Sequence, residues 1–243
     1  MPVNASGLSF LTIVTFGRSG STALQAVLNA HPDTIIRGEN YGAIRGIQDY
    51  VESIAAAADR HHAGKPHHPW FGTARLDPVA VLTDQRRHVI DFLLRPKPTT
   101  RWSGFKEVRY EVGHIADADA LANHLLFVNT LLPGMRFLVN VRDPQAAAGS
   151  GWWSAHPDAR GALVQTIANL QEATRTLQSV LGPGRAVLIE HDRWATDSQV
   201  VVDALAELGY PVDASIVRAT LAEQLSHGKL SDGELSDGKG VPA

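Results

Sequence analysis

Phe10-Leu-Thr-Ile-Val-Thr-Phe16, followed by Gly17-Arg-Ser-Gly-Ser-Thr22 and then Ala23-Leu-Gln-Ala-Val-Leu-Asn-Ala30, is the stretch that decides the fold. The first segment is apolar and β-branched, the pattern of a buried strand. Two glycines break it. Leu24, Val27 and Leu28 then recur at i, i+3 and i+4, which makes one apolar helix face. His31-Pro32-Asp33 stops that helix, because Pro cannot continue it. Thr34-Ile35-Ile36-Arg37 reads as a second short strand. Strand, turn, helix and strand in this order are the opening of an α/β fold with a parallel sheet.

The rest of the chain repeats that alternation. Strands are predicted at Trp102–Val108, Arg136–Val141 and Ala186–Glu190, which brings the sheet to five. Helices are predicted over 41–60, Pro78–Leu94, Leu121–Leu132, Ser198–Leu208 and Ala214–Leu225. Another is marked by Leu163, Ile167, Leu170, Leu177 and Leu181, with Thr174 interrupting its face, and is ended by Gly182-Pro183-Gly184. We read 1–225 as a single α/β domain with helical insertions, in which five parallel strands are flanked by helices. Segment 61–72 is a loop by composition. From Ser226 to Ala243, Gly, Ser, Asp and Lys dominate and Leu-Ser-Asp-Gly occurs twice, so 226–243 is expected to be a flexible tail.

Composition narrows the function. The 243 residues are 44% hydrophobic and 19% charged, enough for a sizeable core. Lys plus Arg is 22 against 25 Asp plus Glu, a net of −3, so no broad nucleic-acid footprint is expected. The chain has no Cys, which excludes a disulfide scaffold, a thiolate zinc site and a cysteine nucleophile. Apolar runs are too short to span a membrane and Met1–Ser9 does not read as a signal peptide, so a cytoplasmic protein is expected. His61, His62, His67 and His68 flank a Lys-Pro turn; we read this as a surface loop and expect no metal.

Gly17-Arg-Ser-Gly-Ser-Thr22 carries the chemistry. Glycines let a backbone curl so that several N–H groups face one anion. The following helix adds its positive end, and Ser21 and Thr22 add hydroxyls. This is a phosphate-binding loop, but not a Walker A loop. Ser21 stands where that motif has its Lys, the group that reaches the β- and γ-phosphates. The cation is instead Arg18. ATP or GTP hydrolysis is disfavoured, and a nucleotide with a shorter 5′ anion chain fits better.

Arg18-Ser-Gly-Ser-Thr22 resembles the R-S-G-[ST]-T loop of the Golgi and tyrosylprotein branches of sulfotransferases. These use 3′-phosphoadenosine 5′-phosphosulfate (PAPS) as co-substrate, and in them this loop holds the 5′-phosphosulfate. The resemblance implies a P-loop-type sheet and a 5′-site built from Gly17, Arg18, Ser19, Gly20, Ser21 and Thr22. The family's second signature is a strand, an Arg, and a Ser eight residues on, which together hold the 3′-phosphate. Phe137–Val141 followed by Arg142, with Ser150 eight residues later, is similar. A helix from Pro144 would carry Ser150 in its second turn.

The resemblance also implies catalytic groups. Helix, His31-Pro32, strand and Gly38-Glu39 follow the loop as in the tyrosylprotein branch, where the matching Glu is the general base. Glu39 is therefore the candidate base, against the alternative of a carboxylate stabilising a helix start. Lys106, at the end of the third strand, resembles the family's charge-stabilising Lys, against the alternative of a solvated strand end. Arg18 would meet the transferring group, and His31 is expected to be structural. His114, His156 and Glu107 are the reserve bases. The implied acceptor is a small-molecule or carbohydrate hydroxyl, its pocket shaped by the 41–101 insertion. The rivals are a kinase-like P-loop phosphotransferase on a small molecule and a non-catalytic module that binds 3′-phosphoadenosine 5′-phosphate (PAP).

Overall fold

The computed structural model describes residues 7–60 and 65–234, with side chains to residue 226. Five strands form one sheet: β1 (Ser9–Val14), β2 (Thr34–Arg37), β3 (Trp102–Glu107), β4 (Arg136–Val141) and β5 (Ala186–Glu190). Their order is β2-β3-β1-β4-β5 and every neighbouring pair is parallel. All five fall where the sequence pattern predicts. β1 lies between β3 and β4, so the chain leaves the central strand in both directions. In open parallel sheets that switch point, at the carboxyl ends of the strands, is where ligand crevices form.

Strand side chains alternate faces, and here both faces are covered. Phe10 and Val14 of β1 join Phe105, Phe137 and Val139 in a core closed by α4 (Ala118–Leu131) and α6 (Ala159–Leu181). Leu11 and Ile13 face the other way. They join Leu138 and Ile189 in a second core under α1 (Ser21–Asn29), α8 (Gln199–Glu207) and α9 (Ala214–Glu234). Leu24 and Leu28 of α1 are wholly buried there, each side chain contributing about 1.5–3 kcal/mol by burial. His31 packs edge-on to Tyr210, whose hydroxyl shares a 2.7 Å hydrogen bond with that of Thr34, which locks the α1–β2 corner.

The segment between β2 and β3 forms two helices, α2 (Ala43–Arg60) and α3 (Pro78–His88). Asp77 caps α3, accepting from the amides of Val79 and Ala80. The sequence predicts one helix through Leu94. The last six residues, Val89–Leu94, instead form a π turn, closed by a 2.9 Å bond from the Arg95 amide to the Ile90 carbonyl. The wider turn buries Val89, Ile90 and Leu94 and leaves Phe92 exposed. At the other end, the backbone of α9 continues to Glu234, past Ser226, where composition predicts little regular structure. Residues 235–243, His61 and His62 lie outside the described residues.

No helix among the described residues is long and apolar enough to cross a membrane.

Candidate functional site

The Gly17–Thr22 loop is held from behind by three consecutive carbonyls. The Trp153 indole donates to the Gly17 carbonyl at 3.1 Å. The Arg142 guanidinium donates to that of Arg18 at 3.0 Å. The buried Asn140 amide donates to that of Ser19 at 2.9 Å. In a trans peptide the N–H points opposite to the C=O. Fixing these carbonyls toward β4 and the chain after it turns the N–H groups of Arg18, Ser19 and Gly20 the other way. The first turn of α1 adds amides that have no partner within the helix. The result is a concave donor surface suited to an anion.

Two glycines are required by contact. A Cβ on Gly17 would overlap the Trp152 ring, and one on Gly20 would overlap His191. Gly20 also has φ 81°, in the left-handed region. Arg18 adopts φ 67° without being Gly. Such a conformation costs on the order of 1–3 kcal/mol and persists where surrounding contacts hold it. Here the Arg18 carbonyl is held by Arg142, and its Nε donates to the Ser150 hydroxyl at 2.9 Å.

The loop opens on a cavity of about 600 Å³. Its walls include Arg18, Ser21, Thr22, Glu39, Lys106 and Arg142. The structure thus gathers most of the residues singled out in the sequence. Two of them lie elsewhere. Ser19 is wholly buried, its hydroxyl hydrogen-bonded to that of Thr15 at 2.7 Å, so its side chain secures the loop from behind. Ser150 is not on a helix: α5 spans only Pro144–Ala148, and Ser150 is extended. Gly149 and Gly151 flank it and the helix stops short, so it approaches the site only through Arg18. Arg142 keeps its Nε buried and without a partner.

Lys106, next to last in β3, is nearly buried, and its Nζ donates to Glu39 Oε1 at 2.9 Å. Glu39 follows β2 and is held by its neighbours. Glu107 Oε2 accepts from the amides of Asn40 and Gly42, both at 3.1 Å, while Oε1 accepts from those of Val108 and Arg109. Glu107 is 2% exposed and both its oxygens are taken up by backbone amides, so it is a clamp for the Glu39 segment rather than a base. His114 and His156, the other reserve bases, line neither this cavity nor the next one described.

A second cavity, of about 540 Å³, lies beyond Glu39 between β2, α2 and the α3–π segment. Glu39 is the only described residue in the walls of both.

Sequence reasoning missed His191, Trp194 and Gln224, all on the first cavity's wall, where Trp152 also lies. His191 opens α7 (His191–Trp194), directly after β5. That position at a strand carboxyl end was the available signal. Burial lowers the His191 pKa, and Arg142 adds to the effect against the opposing hydrogen bond to Asp192. Trp194 sits under Gly20 and donates to Asn140 Oδ1 at 2.8 Å. The two adjacent tryptophans divide: Trp153 is core, Trp152 is 56% exposed over Gly17.

Comparison with solved structures places this architecture among sulfotransferases. A sulfotransferase domain from the Synechococcus PCC 7002 olefin synthase is similar at 16% identity and TM-score 0.54, over 89% of this chain and 78% of that one. Sulfotransferase STF9 from Mycobacterium avium is similar at 15% identity and TM-score 0.50, over 91% and 68%. At these identities the likeness concerns the fold. Comparison with curated protein sequences finds no match. A family model described as "Sulfotransferase family" matches residues 11–214, from β1 through both cavities to the start of α9. With the anion loop, the Arg that follows β4 and nearly all of the five-stranded parallel sheet inside that span, the chain belongs to the sulfotransferase family.

Proposed function

We propose that the protein transfers the sulfuryl group of PAPS to the hydroxyl of a small-molecule acceptor. The observation that carries this reading is the position of Glu39: paired with Lys106, it stands between the anion-loop cavity and the second cavity.

The residues present suit PAPS. The loop amides with Ser21 and Thr22 would hold the 5′-phosphosulfate, and Arg18 would meet its bridging region. Arg142, with an unpartnered buried Nε beside the loop, would take a phosphate on the ribose, and Ser150 would reach it once Arg18 is drawn to the ligand. Trp152 offers an exposed ring face over the loop. Bound PAPS supplies an activated sulfuryl group whose S–O bond to phosphate is the one broken.

Glu39 accepts the proton of the attacking hydroxyl, whose oxygen forms the new O–S bond. The electron pair of the broken S–O bond leaves with PAP. Lys106, held in a nearly dry position, stabilises the charge that develops there; preorganised charge of this kind needs no reorganisation at the moment of reaction. Glu107 fixes the backbone on either side of Tyr41 and so the direction from which Glu39 reaches the cavity.

The test is nucleotide choice. At a hundredfold excess over Kd, a ligand that binds only the native state stabilises it by about 2.7 kcal/mol. PAP raises the melting temperature and ATP does not. Equal shifts from the two, with phosphoryl transfer from ATP, would replace this reading by a phosphotransferase.

A further inference from the structure

The second cavity is chemically unlike the first. Its inner wall is Ile47 of α2 with Val89 and Leu93 of the π turn, and Phe92 stands at its exposed edge. The Phe92 ring lies 4.8 Å from that of His88, which also faces the cavity. Charge is scarce. Glu39 belongs to the reaction. Arg37 turns its guanidinium to backbone, donating from Nε to the Leu94 carbonyl at 2.7 Å and from a terminal nitrogen to that of Arg95 at 2.9 Å. It is thus committed to closing the π turn rather than to an anionic ligand. The remaining polar side chains on the wall are Gln85, His88 and Asn40, and the Asn40 Nδ2 and Oδ1 are both buried without a hydrogen bond.

A sugar needs a partner for most of its hydroxyls, and each one set against the apolar side chains of Ile47, Val89, Phe92 and Leu93 gives up water without a replacement. This wall supplies too few. A neutral molecule with an apolar body and one hydroxyl matches it, and a volume of about 540 Å³ is within the range of small-molecule sites. We propose that this cavity is the acceptor site and that it selects neutral, largely apolar alcohols or phenols over carbohydrates. The apolar body lies between Ile47, Val89 and Phe92. The hydroxyl is directed at Glu39, which takes its proton as the oxygen bonds to sulfur and PAP leaves. This assignment rests on the sulfotransferase reading for its chemistry but on the cavity wall for its selectivity.

The experiment uses 2-naphthol and 1-octanol as apolar probes and N-acetylglucosamine as the polar one. Binding to the full chain with PAP present is read by saturation-transfer NMR, and turnover with PAPS by product mass. Phe92→Asp is the variant; Phe92 is 69% exposed, so the fold tolerates it, as the melting shift with PAP verifies. The apolar probes bind the wild type and the sugar does not. Phe92→Asp weakens them about tenfold or more and raises KM more than it lowers kcat, in keeping with the cost of mismatching an apolar pocket. Better binding or turnover of the sugar overturns the proposal, as does an unchanged response to the apolar probes in Phe92→Asp. Probe binding that depends on Phe92, without transfer from PAPS to any probe, upholds the apolar selectivity and overturns the sulfotransfer reading.

Discussion

Glu39→Gln isolates the proton-transfer step from everything else the site does. The carboxamide keeps the size of the carboxylate, and its oxygen still accepts from Lys106 Nζ, now 2.9 Å from Glu39 Oε1. What is lost is the ability to take a proton and the charge of the pair. The Glu39 side chain is 43% exposed, so solvent screens the pair and its loss costs the fold about 1 kcal/mol or less. The rate falls much further. A positioned general base contributes about 10²–10⁴-fold, which at 1.36 kcal/mol per tenfold is roughly 3–5 kcal/mol of barrier. The assay pairs steady-state turnover of PAPS and a phenol with PAP affinity by calorimetry. Turnover drops by at least two decades while PAP affinity stays within about threefold, because the loop and Arg142 are untouched. Near-normal turnover would refute the reasoning. His88 on the acceptor cavity and His191 on the loop cavity would then be the bases to examine, since Glu107 is consumed by backbone amides.

Three further outcomes are expected. Arg142→Ala weakens PAP by the loss of a charge-assisted hydrogen bond, about 1.5–3 kcal/mol or roughly tenfold to a hundredfold, and weakens adenosine 5′-phosphate little; calorimetry with both ligands checks it, and equal weakening would assign Arg142 to the loop alone. Gly20→Ala combines a left-handed φ of 81° with a clash on His191, so it abolishes the PAP-induced melting shift while leaving the far-ultraviolet circular dichroism of the sheet. Burial raises the Glu111 pKa from 4.5 to about 7, so the folded state keeps a proton that the unfolded chain gives up. The stability this proton confers is full below about 4.5 and is lost as pH rises through about 7. The melting temperature of Glu111→Gln therefore gains on the wild type across that window and levels off above it.

Much of the fold was legible because parallel strands buried on both faces leave apolar runs, as in Phe10–Phe16, Phe137–Val139 and Ala186–Ile189, and the short β2 and the mixed Trp102–Glu107 fall in step with the strand–helix alternation around them. The loop was legible because Gly17 and Gly20 are forced by contacts to Trp152 and His191, although the partners themselves were not readable. What the sequence hid depends on tertiary packing. In the π turn Val89, Ile90 and Leu94 are all buried and share a narrower face than they would in a regular helix over Pro78–Leu94, a difference set by packing rather than by local pattern. Ser150 was expected on a helix, yet α5 ends at Ala148 and Gly149 releases the chain. The apolar cavity joins β2, α2 and the π turn from separate parts of 37–93, so no local motif announces it. Glu107 looked like a reserve base, and only the amides of Asn40, Gly42, Val108 and Arg109 show why it is a clamp.

The most direct test of the account follows labelled sulfur. Wild-type protein is incubated with PAPS carrying labelled sulfate and with 2-naphthol, and both the sulfated product and released PAP are quantified. The account predicts that the two form in equal amounts, that neither forms from ATP in place of PAPS, and that both are lost in Glu39→Gln. Release of PAP without sulfated product, or label transfer that persists undiminished in Glu39→Gln, would contradict it.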